Sequence, residues 1–434
     1  MSAWRNWSGG VRANPARVVA PATTGEVVDA VRAAAREGLR VKPVGAGHSF
    51  TSIAATDGVQ LRADRLNRVV DVDRDSGLVT VEGGISLYEL GPLLHRHGLA
   101  MENLGDIDRQ SISGAVSTGT HGTGAAIGTI ATQIRAMQLV LADGEVVDCS
   151  ADERPELFAA ARVGLGALGV ITRVTLQCVP AFALHGVEEP LPIDEVLDGM
   201  DELADTHDHW EFFWFPHGRT ALTKRHTRLP GDAPLKPIGR LRHIIDDEIL
   251  SNGALGAIML TGTAIPATIP PLTRLAGRAL SRREYVDTSY KVFASTRRVR
   301  FFEGEYAIPR EAAAEVLREI RHWVDTHDER VSFPFEVRYV AGDDIPLAPT
   351  YGRDSVYIAF HQYRRMPYRR FFDAMEDILG AAGGRPHWGK LHRLDAAALR
   401  EKYPRFTEFT ALRDTLDPGR LFTNDYLDRV LGAP

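Results

Sequence analysis

The stretch Arg40-Val41-Lys42-Pro43-Val44-Gly45-Ala46-Gly47-His48-Ser49-Phe50 runs from a short apolar strand straight into a glycine loop. Upstream, Val18 and Val19 form an apolar run ended by Pro21, and Thr23 followed three residues later by Glu26 is a capping-box signal. Val27, Ala30, Val31 and Ala34 then make one helical stripe, which Gly38 closes. The order strand, helix, strand, loop puts residues 45–50 at the carboxyl end of a strand in an α/β unit, where backbone N–H groups face a ligand.

Working outward, residues 67–73 and 78–83 predict a hairpin around Asp75-Ser76-Gly77, and residues 86–97 an amphipathic helix stopped by Gly98. Residues 105–124 are mostly Gly, Ser and Thr and predict a second loop that builds no core. Asp143-Gly144 is a strong hairpin turn between strands at 135–141 and 145–149, and 164–169 leads into a strand over 170–178. Past Pro180 the texture changes. Amphipathic stretches at 193–204 and 310–327 alternate with aromatic strands at 210–216, 290–293, 333–340 and 356–363. The expectation is an α+β fold of two domains, 1–180 and 181–394, with 395–434 packing back on the first.

The chain has 434 residues, and 51 Lys and Arg against 57 Asp and Glu leave a net charge of −6, interspersed rather than in blocks, which gives no footprint for nucleic acid or anionic lipid. Cys149 and Cys178 read as small core residues, since two cysteines make neither a disulfide framework nor a zinc site. The weakly polar stretch 253–272 is broken by Pro266, Pro270 and Pro271, which argues against a membrane span, and residues 1–10 lack the apolar segment of a secretory signal. The expected location is the cytoplasm.

Two glycine-rich stretches in one domain, neither holding a side-chain cation of the kind found in GxxxxGK[ST], suit a pyrophosphate held by backbone amides and hydroxyls. Phe50 stands where GxGxxG needs its third glycine, which disfavours a nicotinamide fold. Glu336 and Arg338 stand two apart on an apolar strand and therefore share a face; His361 and Tyr363 alternate in the same way.

The 45–50 loop, the run Ser117-Thr118-Gly119-Thr120-His121-Gly122-Thr123-Gly124, the segment Gly166-Ala167-Leu168-Gly169-Val170-Ile171 and the late His387-Trp388-Gly389-Lys390 resemble the vanillyl-alcohol-oxidase type of FAD flavoprotein. Within it they resemble the sugar-lactone and alditol oxidase branch of L-gulono-1,4-lactone oxidases and dehydrogenases, D-arabinono-1,4-lactone oxidases and alditol oxidases. The resemblance spans almost the whole chain. It implies a two-domain FAD-binding fold with an α+β substrate domain, and FAD joined covalently through His48. It further implies that Gly45, Ala46, Gly47 and Ser49 cradle the pyrophosphate, with Ser117, Thr118, Gly119, Thr120, His121 and Gly122 on its other side. Val170 or Ile171 meets the adenine end. Arg338 would fix a substrate hydroxyl, Glu336 would accept from neighbouring hydroxyls, and His361 and Tyr363 would line the same pocket. Lys390 would lie by flavin N1, and Ser111 would touch both flavin and substrate. Alditol oxidases carry threonine at the place of Tyr363, a departure that suits a cyclic lactone. The implied partners are a sugar lactone or polyol and O2 or another electron acceptor; no metal is implied.

Overall fold

The computed structural model describes residues 3–239, 255–295 and 299–433. Its N-terminal part begins with a parallel sheet in which Val59–Arg62 lies between Arg17–Val19 and Val41–Val44. The intervening helix Thr24–Arg36 starts as its sequence dictates: Thr23 Oγ1 accepts the Glu26 N–H at 3.2 Å and the Glu26 carboxylate accepts the Ala22 N–H at 2.8 Å. Val27, Val31 and Ala34 are its buried residues. A second, antiparallel sheet of five strands contains both expected hairpins, Val69–Asp73 with Leu78–Glu82 and Ile134–Val140 with Val146–Ser150, joined through Val170–Gln177.

The later part is one eight-stranded sheet. From one edge its order is Arg283–Thr288, Phe182–Pro192, Thr220–Pro230, His209–Trp214, Phe335–Val340, Ser355–Tyr363, Phe301–Pro309 and Arg385–Pro386. Strand alternation sorts its side chains. Trp210, Phe212, Phe335, Val337, Val356, Ile358 and Ile308 point to one side and pack on the helices Ile193–Thr206, Ala313–Thr326 and Arg369–Ala381. Glu211, Glu336, Arg338, His361, Glu303 and Glu305 occupy the alternate positions and are also buried. Both faces are therefore covered, the polar one by residues 105–124, whose Gly124 N–H donates to Tyr339 O at 2.8 Å.

Two local expectations are corrected. Residues 105–124 do build core: Ile112–Ser117 is a helix whose Ile112, Ala115 and Val116, spaced i, i+3, i+4, are fully buried. Three apolar residues among small ones suffice because Gly and Ser let the helix lie close to its neighbours. The expected strand at 290–293 is instead the helix Ser289–Phe293, since Tyr290 and Phe293 at i, i+3 both turn to the same core.

The C-terminal helices return to the N-terminal part. Leu421 O accepts the Val41 N–H at 2.7 Å, and Asn424 Nδ2 donates to the carbonyls of Ser52, Ile53 and Ala55 at 3.0, 3.0 and 2.8 Å. No described helix is long and apolar enough to cross a membrane. Of the stretch 253–272, residues 253 and 254 lie outside the described residues, as do Met1 and Ser2; the rest forms Leu255–Ala264 and Ile269–Ala279, separated at Pro266.

Candidate active site

The glycine loop that follows Val41–Val44 is one wall of a cleft of about 860 Å³. Gly45, Ala46, Gly47, His48 and Ser49 line it, opposite Ser111, Ser117 and Thr118 and with Val170 and Ile171 at another wall. Gly45 cannot be larger: a Cβ there would stand 2.1 Å from Ser111 Oγ, the atom that caps the 112–117 helix by accepting the Gly114 N–H at 3.3 Å. Gly47 has φ +71°, a conformation that glycine adopts at little cost. The two loops thus face each other across an elongated slot walled by backbone and hydroxyls, which fits a dinucleotide.

His48 lies in this cleft, its ring stacked on Trp7 at 5.8 Å. Burial lowers its pKa to about 4, and Lys390 and Arg109 push the same way, so the ring is neutral near pH 7. Its Nδ1 is buried with no hydrogen-bond partner among the described residues. Lys42, at the wall of the same cleft, is buried and donates to the carbonyls of Gly166 and Phe422, each at 3.3 Å. Burial pulls its pKa down to about 7, helped by Arg413.

A second cavity shares a wall with the first, and Gln110 lines both. Four expected residues meet there: Glu336, Arg338, His361 and Lys390. Glu336 and Arg338 share a face and form an ion pair. Arg338 Nε also donates to Glu211 Oε2 at 2.8 Å, and its Nη2 lies 3.8 Å from Asp106 Oδ1. Burial alone would raise the Glu211 carboxyl; Arg338 and Lys224 override it and hold it at about 2. Burial would likewise lower the Lys390 ammonium, but Glu303 and Glu305 raise it above the ordinary lysine value.

The structure redistributes several expected residues. Thr120 and His121 line the second cavity rather than the dinucleotide cleft, because the 112–117 helix carries the chain past it. Gly119 (φ +76°) and Gly122 line neither; at Gly122 a Cβ would meet Leu104 O at 2.3 Å, so it serves close backbone packing. Tyr363 lines neither cavity but packs with Phe50, Phe301 and Phe333, forming an aromatic wall beside His361.

Sequence reasoning missed Glu303, Glu305, Glu211, Asp106 and Gln110. Glu303 and Glu305 alternate on the aromatic strand Phe301–Pro309 as Glu336 and Arg338 do on theirs, and that signal was available. His121 Nε2 lies 3.2 Å from Glu305 Oε1, and its Nδ1 is 2.9 Å from Gly122 O. His387, Glu305 and His121 come within 4.8 Å of one another, a spacing a cation tolerates. His387 Nδ1, however, accepts the Gly389 N–H at 3.0 Å, which leaves the proton on Nε2 and spends the lone pair a cation requires.

Comparison with known proteins places this geometry. Residues 174–430 match the family model described as D-arabinono-1,4-lactone oxidase. The chain belongs to that family. Residues 15–150, which include both glycine-rich loops, match the FAD binding domain, so FAD is the cofactor. Among curated relatives of the family, the L-gulono-1,4-lactone dehydrogenase of Mycobacterium tuberculosis is 46% identical over 429 residues, covering 99% of each chain. The L-gulonolactone oxidase of Mus musculus is 36% identical, covering 98% of each, and the alditol oxidase of a Streptomyces species 34% identical, also covering 98% of each. The crystal structure of cholesterol oxidase from B. sterolicum superposes with a TM-score of 0.82 over 99% of this chain and 96% of that one, at 20% identity. The architecture is therefore the FAD-binding fold of the vanillyl-alcohol-oxidase type.

Proposed function

We propose that the protein oxidises a carbinol of an aldono-1,4-lactone of the L-gulono or D-arabinono type. The observation that carries this reading is the second cavity. The adjacent strands Phe335–Val340 and Ser355–Tyr363 and the 387–390 loop bring Glu336, Arg338, His361 and Lys390 to one buried space that shares Gln110 with the first cleft. A hydroxylated ring, rich in acceptors and donors, matches such a lining.

FAD, when bound, would supply the two-electron acceptor for the carbinol and would hand the electrons on to O2, giving hydrogen peroxide. The chain does the rest. Arg338, fixed by Glu211, binds the reacting hydroxyl and stabilises the negative charge that builds on its oxygen as the carbinol is oxidised. Glu336 accepts from a neighbouring hydroxyl, His361 bounds the cavity beside it, and Ser111, at the FAD cleft, orients the substrate from the cofactor side. Lys390 would supply a cation to the bound flavin. Gly45, Ala46, Gly47, Ser49, Ser117 and Thr118 hold the pyrophosphate, and Val170 or Ile171 the adenine end. His48 is the attachment point of a covalent flavin; its neutral ring and unpartnered Nδ1 support this. The same reading divides the chain into an FAD-binding domain at 1–180, a substrate domain at 181–394 and a returning segment at 395–434. It places the enzyme in the cytoplasm, in keeping with two buried free thiols.

A second reading keeps the site and changes the acceptor to a quinone or cytochrome; the 46% identity to a protein named as a dehydrogenase favours it. An alditol in place of the lactone is the further alternative, favoured by the similarity to an alditol oxidase. Anaerobic flavin bleaching with L-gulono-, L-galactono- and D-arabinono-lactones against xylitol and sorbitol tests the substrate. Bleaching by the polyols alone refutes the lactone reading. Stopped-flow reoxidation in air-saturated buffer separates oxidase from dehydrogenase. Acid precipitation tests the link: a yellow pellet from the parent and a colourless one from His48→Ala are expected, whereas a yellow supernatant from the parent refutes attachment.

A further inference from the structure

We infer that Glu303 is a positioning residue for this oxidation: one carboxylate oxygen anchors both Lys390 and His361 at the mouth of the substrate cavity. The inference rests on the reading above, in which Lys390 stands by the flavin.

Glu303 sits on Phe301–Pro309 directly opposite His361 in register, and only 5% of it is exposed. Its Oε1 lies 2.5 Å from Lys390 Nζ and 3.3 Å from His361 Nε2. On the far side of the imidazole, Nδ1 donates to Pro334 O at 3.0 Å, so the ring is held between a carbonyl and the carboxylate. The backbone of the same residue completes the arrangement. Glu303 O accepts the Leu391 N–H at 2.9 Å, and Glu305 O accepts the His387 N–H at 2.9 Å, which lays the 387–391 loop along this strand. Glu305 cannot replace Glu303 in the role. Its carboxylate stands 4.0 Å from Lys390 and is engaged by His121.

Two consequences follow from one buried negative charge at that spot. It fixes where the Lys390 ammonium points, and it offsets part of the positive field that the ammonium projects on the cofactor. A purely structural glutamate would do neither.

Glu303→Gln keeps the shape and removes the charge. The expected result is a higher two-electron midpoint potential of the bound FAD, by about tenfold in the redox equilibrium or roughly 30 mV, together with a kcat/KM lower by about tenfold or more. Lys390→Met is expected to move the potential the other way. A Glu303→Gln enzyme with both the parent's potential and the parent's kcat/KM, while Lys390→Met lowers the potential, overturns the role of Glu303 and leaves the proposed function standing. A Lys390→Met potential equal to the parent's removes Lys390 from the flavin and takes both readings with it. If Glu303→Gln does not fold, Glu303→Asp decides: it keeps the charge and loses the reach, so kcat falls while the potential stays near the parent's. A parental kcat in that variant overturns the inference.

Discussion

Arg338→Lys separates the two things that an arginine offers at this position, its charge and its fork. The guanidinium donates Nε to Glu211 at 2.8 Å while Nη2 pairs with Glu336 and faces Asp106 at 3.8 Å. A lysine retains the charge but replaces the planar fork with one compact nitrogen, which loses the two-point geometry that Nε and Nη2 give to Glu211 and Glu336. The loss is therefore one buried charge-assisted hydrogen bond, about 1.5–3 kcal/mol, and kcat/KM should fall by about ten- to a hundredfold. Arg338→Ala goes further and removes the buried cation that faces Glu211, Glu336 and Asp106, at a cost of about 3–5 kcal/mol of stability for a broken buried pair. The pH dependence has a definite sign. Glu211 is depressed to about 2 in the folded parent, so the stability it contributes is present at neutral pH and is lost as pH falls through that value. Without Arg338 the same loss begins at higher pH, nearer the ordinary carboxylate range. Anaerobic flavin reduction by the lactone gives the rate, and denaturant unfolding across pH gives the stability. An Arg338→Lys enzyme with parental kcat/KM would refute the fork argument, because charge alone would then account for the activity.

Asn424→Ala should destabilise the chain by about 2–4 kcal/mol: it removes the helix cap to Leu427 N–H at 2.9 Å and takes the Nδ2 donor from the Ser52, Ile53 and Ala55 carbonyls, of which Ser52 O keeps the Ala55 N–H at 2.9 Å. Chemical denaturation measures this, and an unchanged midpoint would show that the returning segment contributes little. Gly45→Ala should cut flavin content at least tenfold (roughly 1.4 kcal/mol or more) with the circular dichroism spectrum intact, since the new Cβ displaces the Ser111 hydroxyl; full loading, read from the visible-to-ultraviolet absorbance ratio, contradicts it. Lys42 titrates at about 7 when folded, below its unfolded value, so the unfolded chain binds more protons and the parent gains stability as pH rises from about 7 toward 10. Lys42→Met should lose up to about 1.4 kcal/mol per pH unit of that slope, and identical slopes in parent and variant would exclude a depressed Lys42.

Local signals carried much of the architecture. Period-two alternation set Glu336 and Arg338 on one face, Asp143-Gly144 turned its hairpin, and the glycine loop directly after an apolar strand announced the dinucleotide cleft. These depend on a few neighbouring dihedral angles and need no partner. The failures have the same root. The 290–293 segment supports either period until the core it faces is known, and three apolar residues among glycines and serines become core only when something packs against them.

What tertiary structure alone decided was the company each charge keeps. Glu211 meets Arg338 across 127 positions of sequence, and Glu303 meets His361 and Lys390 because two antiparallel strands share one register. A slip of a single residue would have turned all of these side chains to the helix-covered face. Alternation within a strand is written in consecutive residues. Which strand lies beside it, and in what register, is settled by burial summed over the whole sheet.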